Sequence, residues 1–162
     1  MNFLEILQQT ETGEMLITFF LSMVPVLELR GAIPIGVGIG LQPLTAMLVS
    51  IVGNMVPIPF IILFIRRIFA FLRRNFPQVD GFLTNLEKRA HLKGKKVSKY
   101  KYLGLCIFVA IPLPGTGAWS GALIAALLDM SLKRALPAIL LGVLIAGGII
   151  TGLTFGFASI FA

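Results

Sequence analysis

The chain has 162 residues, of which 57% are hydrophobic and only 13% charged, with fourteen Lys and Arg against seven Asp and Glu for a net charge of +7. Together with a mean hydropathy of +0.94, this lies outside the soluble globular range and predicts one compact all-α integral membrane domain over residues 1–162. A single cysteine, Cys106, and a single histidine, His91, exclude an internal disulfide and a cluster of metal ligands; neither metal nor cofactor is expected.

In chain order, the N-terminus lacks the positive region of a cleavable signal peptide, its first charges being Glu5, Glu11 and Glu14, so the chain is expected to stay intact. Phe3, Leu4, Ile6 and Leu7 have helix-like spacing, so residues 2–9 can form a short helix at the membrane surface or simply fray. From Met15 to Ile65 the only charges are Glu28 and Arg30. They divide the stretch into a first apolar arm, a Gly/Pro-rich arm to Leu41 and a span near residues 44–65. Each of the first two arms is too short to cross about 30 Å of hydrocarbon alone.

Eleven of the fourteen basic residues fall between Arg66 and Lys101. Such clustering is what the positive-inside bias produces, and it places this segment in the cytoplasm against anionic lipid headgroups. No nucleic-acid motif accompanies it, so a nucleic-acid partner is not expected. Within the segment, Asp80 is placed to cap a helix with Phe82, Leu83, Leu86 and Ala90 on one side. Hydrophobicity resumes at Leu103, breaks in the PLPGTG of residues 112–117, pauses at Asp129, Lys133 and Arg134, and continues from Ala135 to Ala162.

The halves 1–65 and 103–162, joined by residues 66–102, share one organisation at an offset of about 88 residues. Each has an apolar arm, a Pro/Gly break, a second arm, a short turn (LQPLTA at 41–46, MSLKRA at 130–135) and a full span. If each broken segment is a re-entrant hairpin, the acidic N-terminus lies outside and every basic cluster inside. If the segments 15–40 and 103–128 instead cross as kinked helices, Lys133 and Arg134 move outside. The hairpin reading keeps the charge bias for every cluster and is preferred. It makes the halves inverted repeats, an arrangement recurrent in secondary transporters.

The string ELRGAIP at residues 28–34, with IPLPGTGAWSGAL at 111–123, closely resembles the small multidrug export protein family, which is distantly similar to DedA-like membrane proteins of the VTT type. The resemblance covers nearly the whole chain. It implies a polytopic prokaryotic membrane protein of transporter-like organisation. DedA-like models have two facing re-entrant hairpins, and those proteins are linked to undecaprenyl phosphate recycling and proton-dependent phenotypes. The longer arginine motif that they carry after the second hairpin is not evident here.

Among candidate site residues, Glu28 stands out, since an acidic group at the centre of a spanning helix costs roughly 2.5–3.5 kcal/mol on insertion scales unless paired or protonated. A carboxyl that loads and releases a proton is what proton coupling requires; a structural ion pair is the alternative. Arg30 is suited to gripping a phosphate or carboxylate, or to neutralising Glu28 if Gly31 and Pro34 break the helix between them. In the second half, Pro112, Pro114, Gly115 and Gly117 leave backbone groups that lipid cannot satisfy, so their loop must be buried or line a watery cavity. Thr116 and Ser120 add hydroxyls, and Trp119 could stack on a cation or anchor at the interface. Asn54 reads as a helix-to-helix hydrogen bond, and Gly148, Gly152 and Gly156 as a packing face, within the chain or in a homodimer.

These features predict a proton-coupled secondary transporter or exporter of a lipophilic or lipid-like small molecule. An undecaprenyl-phosphate-type flippase and a non-transporting scaffold stand as alternatives. An enzyme is not expected, because no Ser-His, paired-Asp or His-Glu-x-x-His arrangement occurs.

Overall fold

A backbone surrounded by lipid must bond its polar groups within its own segment, and helices do this at any length the apolar run allows. The computed structural model describes residues 10–97 and 100–161, and every long regular element among them is an α-helix. In order these are α1 (Glu11–Met23), α2 (Glu28–Ile39), α3 (Pro43–Met55), α4 (Pro57–Asn75), α5 (Asp80–Val97), α6 (Lys101–Ala110), α7 (Ala118–Leu127) and α8 (Leu132–Phe161), with one 3-10 turn at Pro77–Val79. Residues 2–9, with Phe3, Leu4, Ile6 and Leu7, read as a surface helix or a frayed end, lie outside the described residues.

The apolar arms are short: α1, α2, α6 and α7 have 13, 12, 10 and 10 residues, or about 15–20 Å at 1.5 Å per residue. Among the described residues two stretches are long and apolar enough to cross a membrane, Pro43–Asn75 with 33 residues and Leu132–Gly156 with 25. The first runs past the boundary expected near residue 65. Across Arg66 the apolar positions keep helical spacing at Ile65, Phe69 and Leu72, which pack together in one core.

The chain divides into two compact units, Met1–Pro57 with Val143–Ala162, and Ile58–Gly142. In the first unit the chain turns back at residues 24–27, where Val24 is extended and Pro25 has no amide hydrogen. α1 and α2 then lie antiparallel. A side chain at Gly40 would meet the Glu14 carboxylate at 2.9 Å, and one at Gly36 would meet Thr18 Oγ1 at 2.8 Å and Ala46 Cβ of α3 at 3.2 Å. Gly31 and Pro34, expected to break the helix, lie within α2; the break comes before Glu28, and contacts with α1 and α3 hold the helix through the proline.

In the second unit, Phe69 of α4, Leu83 of α5 and Ile124 and Leu127 of α7 form a core, joined by Val79, Leu86 and Phe108. The expected amphipathic helix therefore exists as α5, yet Phe82, assigned to its apolar side, is 69% exposed; the side chain of Ala90 is outside the description. Arg73 fastens α4 to α5 through Asp80 (2.9 Å) and Glu87 (2.6 Å). Asp80 opens α5 and spends its carboxylate on this pair.

The turns after α2 and α7 match bond for bond. Leu41 N–H donates to Gly36 O (3.0 Å) and Gly40 N–H to Val37 O (3.2 Å); Met130 N–H donates to Ala125 O (2.9 Å) and Asp129 N–H to Ala126 O (3.4 Å). Both are Schellman caps, whose turning residue takes positive φ: Gly40 has φ 127° and Asp129 φ 54°. Leu41 and Met130, next in each turn, are both buried.

Candidate functional site

Helices packed in an apolar medium bury polar side chains only where helix meets helix. The buried polar and charged residues described are Thr18, Ser22, Glu28, Ser50 and Asn54, and all five belong to the first unit. Four of them come from α1 and α3 by a common device, polar residues four apart on one helix face: Thr18 with Ser22, and Ser50 with Asn54. Small residues let the faces close, for a side chain at Gly53 would fall on Ser22 Oγ and the Phe19 carbonyl.

Glu28 is 6% exposed and begins α2 at φ 47°, a left-handed conformation that a residue with a β-carbon rarely adopts. Its N–H donates to Val24 O at 2.8 Å, closing the turn between α1 and α2. Strain of this kind, on the order of 1–3 kcal/mol, persists where the surroundings enforce it and concentrates at functional positions. Arg30, two residues on, is half-buried and borders a hollow of about 350 Å³ with Pro34 of α2 and Ile150, Leu153 and Thr154 of α8. The hollow thus joins one guanidinium to mostly apolar walls. Both Glu28 and Arg30 have electrostatic or hydrogen-bonding partners in the fold.

The remaining candidates stand in the second unit. Pro112, Pro114 and Gly115 are exposed, Thr116, Trp119 and Ser120 half-buried, and Gly117 buried just before α7. Thr116 Oγ1 lies 2.7 Å from the carbonyls of both Ile111 and Leu113 and donates its one hydrogen between them. That hydroxyl staples the loop.

Sequence reasoning passed over two features. Thr18, Ser22 and Ser50 of the buried polar group left a readable trace in the four-residue spacing of hydroxyl and amide residues on apolar segments. Arg66 was read only as part of a basic cluster. Its Nε donates to Ala126 O (2.8 Å) and one terminal nitrogen to Leu127 O (3.1 Å), while the other pairs with Asp129 at 2.6 Å. It closes the end of α7. It also lines a basic hollow of about 340 Å³ with Arg73, Glu87 and His91. Among the described residues no group of three His, Cys, Asp or Glu could hold a metal ion.

A family model described as "Putative small multi-drug export protein" matches residues 28–149. The match starts at Glu28 and takes in the loop before α7. No curated protein and no solved structure matches the chain. With about three quarters of its length matched and two helices long and apolar enough to cross a bilayer, the chain is a membrane protein that belongs to this small multidrug export family.

Proposed function

We propose that the protein is a proton-coupled secondary exporter of a lipophilic or lipid-like small molecule, with Glu28 as the carboxyl that takes up and releases the proton. The observation that carries this is the burial of Glu28, at strained φ, where two short apolar helices fold back on each other. Arms of about 15–20 Å that turn at Pro-containing breaks support a re-entrant placement of α1–α2 and of α6–α7. Helix starts at residues 11, 28 and 43 that recur at 101, 118 and 132, with matching caps, support descent from a repeat. An odd number of crossings per half makes the repeats inverted.

In this arrangement the protein is a multi-pass component of a prokaryotic cytoplasmic membrane. Residues 66–101 are cytoplasmic and lie against anionic headgroups, and the loop of Pro112, Pro114, Gly115, Thr116 and Gly117, with Trp119 and Ser120, supplies substrate contacts of its own in the second half. Thiol labelling tests the topology: with Cys106 replaced, an impermeant reagent should reach Thr12→Cys but not Ser131→Cys in intact cells, and the reverse pattern refutes the hairpins.

A second reading, a flippase for a polyprenyl phosphate carrier, is favoured by the hollow that sets Arg30 among apolar residues; a guanidinium binds phosphate, and the walls suit an isoprenoid chain. The test of both is proton flux in tight proteoliposomes challenged separately with lipophilic cations and with a short-chain polyprenyl phosphate, alongside Glu28→Gln. Flux with one class that the variant abolishes supports coupled transport and names the substrate class. No flux with either, from folded protein, refutes coupling and leaves a scaffold or an uncoupled scramblase.

A further inference from the structure

Hydroxyl groups on helices in apolar surroundings usually satisfy themselves by donating to a carbonyl one turn back. Three residues of the first unit do so: Thr18 to Glu14 O (2.8 Å), Ser22 to Phe19 O (2.7 Å) and Thr154 to Ile150 O (2.8 Å). Ser50 and Thr151 do not. Ser50 Oγ, Thr151 Oγ1 and both terminal atoms of Asn54 are buried without a hydrogen-bond partner among the described residues. Ser50 and Asn54 are each 0% exposed. An asparagine amide cannot close on its own helix as a hydroxyl can; it presents two donors and an acceptor that another molecule or residue must meet.

The helix register places Asn54 level with the carboxyl and Ser50 one turn nearer the contact of α2 with α3. α2 and α3 are joined by the short turn of residues 40–42 and meet where Gly36 abuts Ala46. Eight residues from that contact, away from the turn, lie Glu28 on α2 and Asn54 on α3, each on its helix's buried face. Both are about 12 Å along the helix axes from the contact, and so stand at one height. α8 reaches α3 at Gly147, where a side chain would meet Met47 and Ile51 at 3.3–3.4 Å, and Thr151 follows one turn later.

We propose that Ser50, Asn54 and Thr151 line a polar binding site, occluded in this conformation, for a group that both donates and accepts hydrogen bonds at the height of Glu28. Water and the hydroxyl of an amphiphilic solute share that chemistry. A delocalised cation without such groups does not fit it. The inference deepens the transport reading and rests on it only for the role of Glu28. The site must open to be filled, so its side chains should meet water during an exchange that the closed form does not display.

The test uses the full chain in proteoliposomes with Cys106 replaced by serine, carrying Ser50→Cys, Asn54→Cys or, on the outward face of the same helix, Leu48→Cys. Folding of each is checked by monodispersity, and Ser50→Cys, the near-isosteric change, carries the test if Asn54→Cys does not fold. A small hydrophilic methanethiosulfonate reagent should label positions 50 and 54 at least tenfold faster than position 48, because lipid-facing thiols stay un-ionised. Slowing by farnesol but not by tetraphenylphosphonium names a solute hydroxyl as the occupant; no slowing by either names water. Labelling at 50 and 54 no faster than at 48 overturns the site. As a second measure, Asn54→Leu should raise thermal stability by relieving an unpaired amide, and a fall would mean that the amide is a structural bond. Neither readout needs transport, so failure of Glu28→Gln to affect proton flux would refute the coupling while leaving this site to stand or fall by labelling.

Discussion

Replacing Arg66 separates a carbonyl clamp from an ion pair. Arg66 makes two hydrogen bonds to the last carbonyls of α7 and one pair with Asp129, whose side chains are 48% and 78% exposed. An exposed pair of this kind contributes about 0–1 kcal/mol. A hydrogen bond to buried helix-end carbonyls is worth about 1 kcal/mol each, and its loss leaves the Ala126 carbonyl with only the long bond from Asp129 N–H (3.4 Å). Arg66→Met, which keeps the apolar stem, should therefore destabilise the protein by about 2–3 kcal/mol. Asp129→Asn should cost under about 1 kcal/mol, since Asn also tolerates the positive φ at that position. Arg66→Lys should fall between them, because an ammonium cannot fork across two carbonyls and a carboxylate. Unfolding in bicelles by SDS titration measures all three. Equal losses for Arg66→Met and Asp129→Asn would refute the clamp.

Other perturbations follow from close packing. Gly53→Ala should weaken the contact of α1 with α3 by about 1–3 kcal/mol, because the new methyl meets the Phe19 backbone; unchanged unfolding would show that the helices part readily. Gly142→Ala should cost as much, its methyl lying 2.6 Å from the Cys106 carbonyl. Gly152→Ala meets nothing within 4 Å and should stabilise an isolated chain by up to about 1 kcal/mol through helix propensity. If a second copy covers the face of Gly148, Gly152 and Gly156, the same change should instead disrupt the homodimer seen by cross-linking. Thr116→Val removes the staple on the 111–117 loop and should speed amide exchange there with a stability loss of about 1 kcal/mol; unaltered exchange would show that the prolines alone hold the loop.

Membership of a membrane family and the order of short and long helices were legible in the sequence, because hydropathy and Pro/Gly breaks act locally. The run from Met15 to Ile65 with only two charges announced apolar arms, and the missing amide of Pro25 marked the turn between them. The end of the first long span at Asn75 was not legible, since the basic residues from Arg66 on read as its limit, while the packing of Ile65, Phe69 and Leu72 with Leu83 and Ile124 joins distant segments. Glu28 could be singled out by its charge. Its strained φ could not, being imposed by the turn that it closes. Asn54 read as an ordinary interhelical bond, and Arg66 as one basic residue among eleven. Which polar group meets a partner depends on which helix faces come together, a property of distant segments such as α3 and the C-terminal part of α8. Composition therefore determined the medium and the helices, and tertiary packing decided which side chains that medium would leave buried and unpaired.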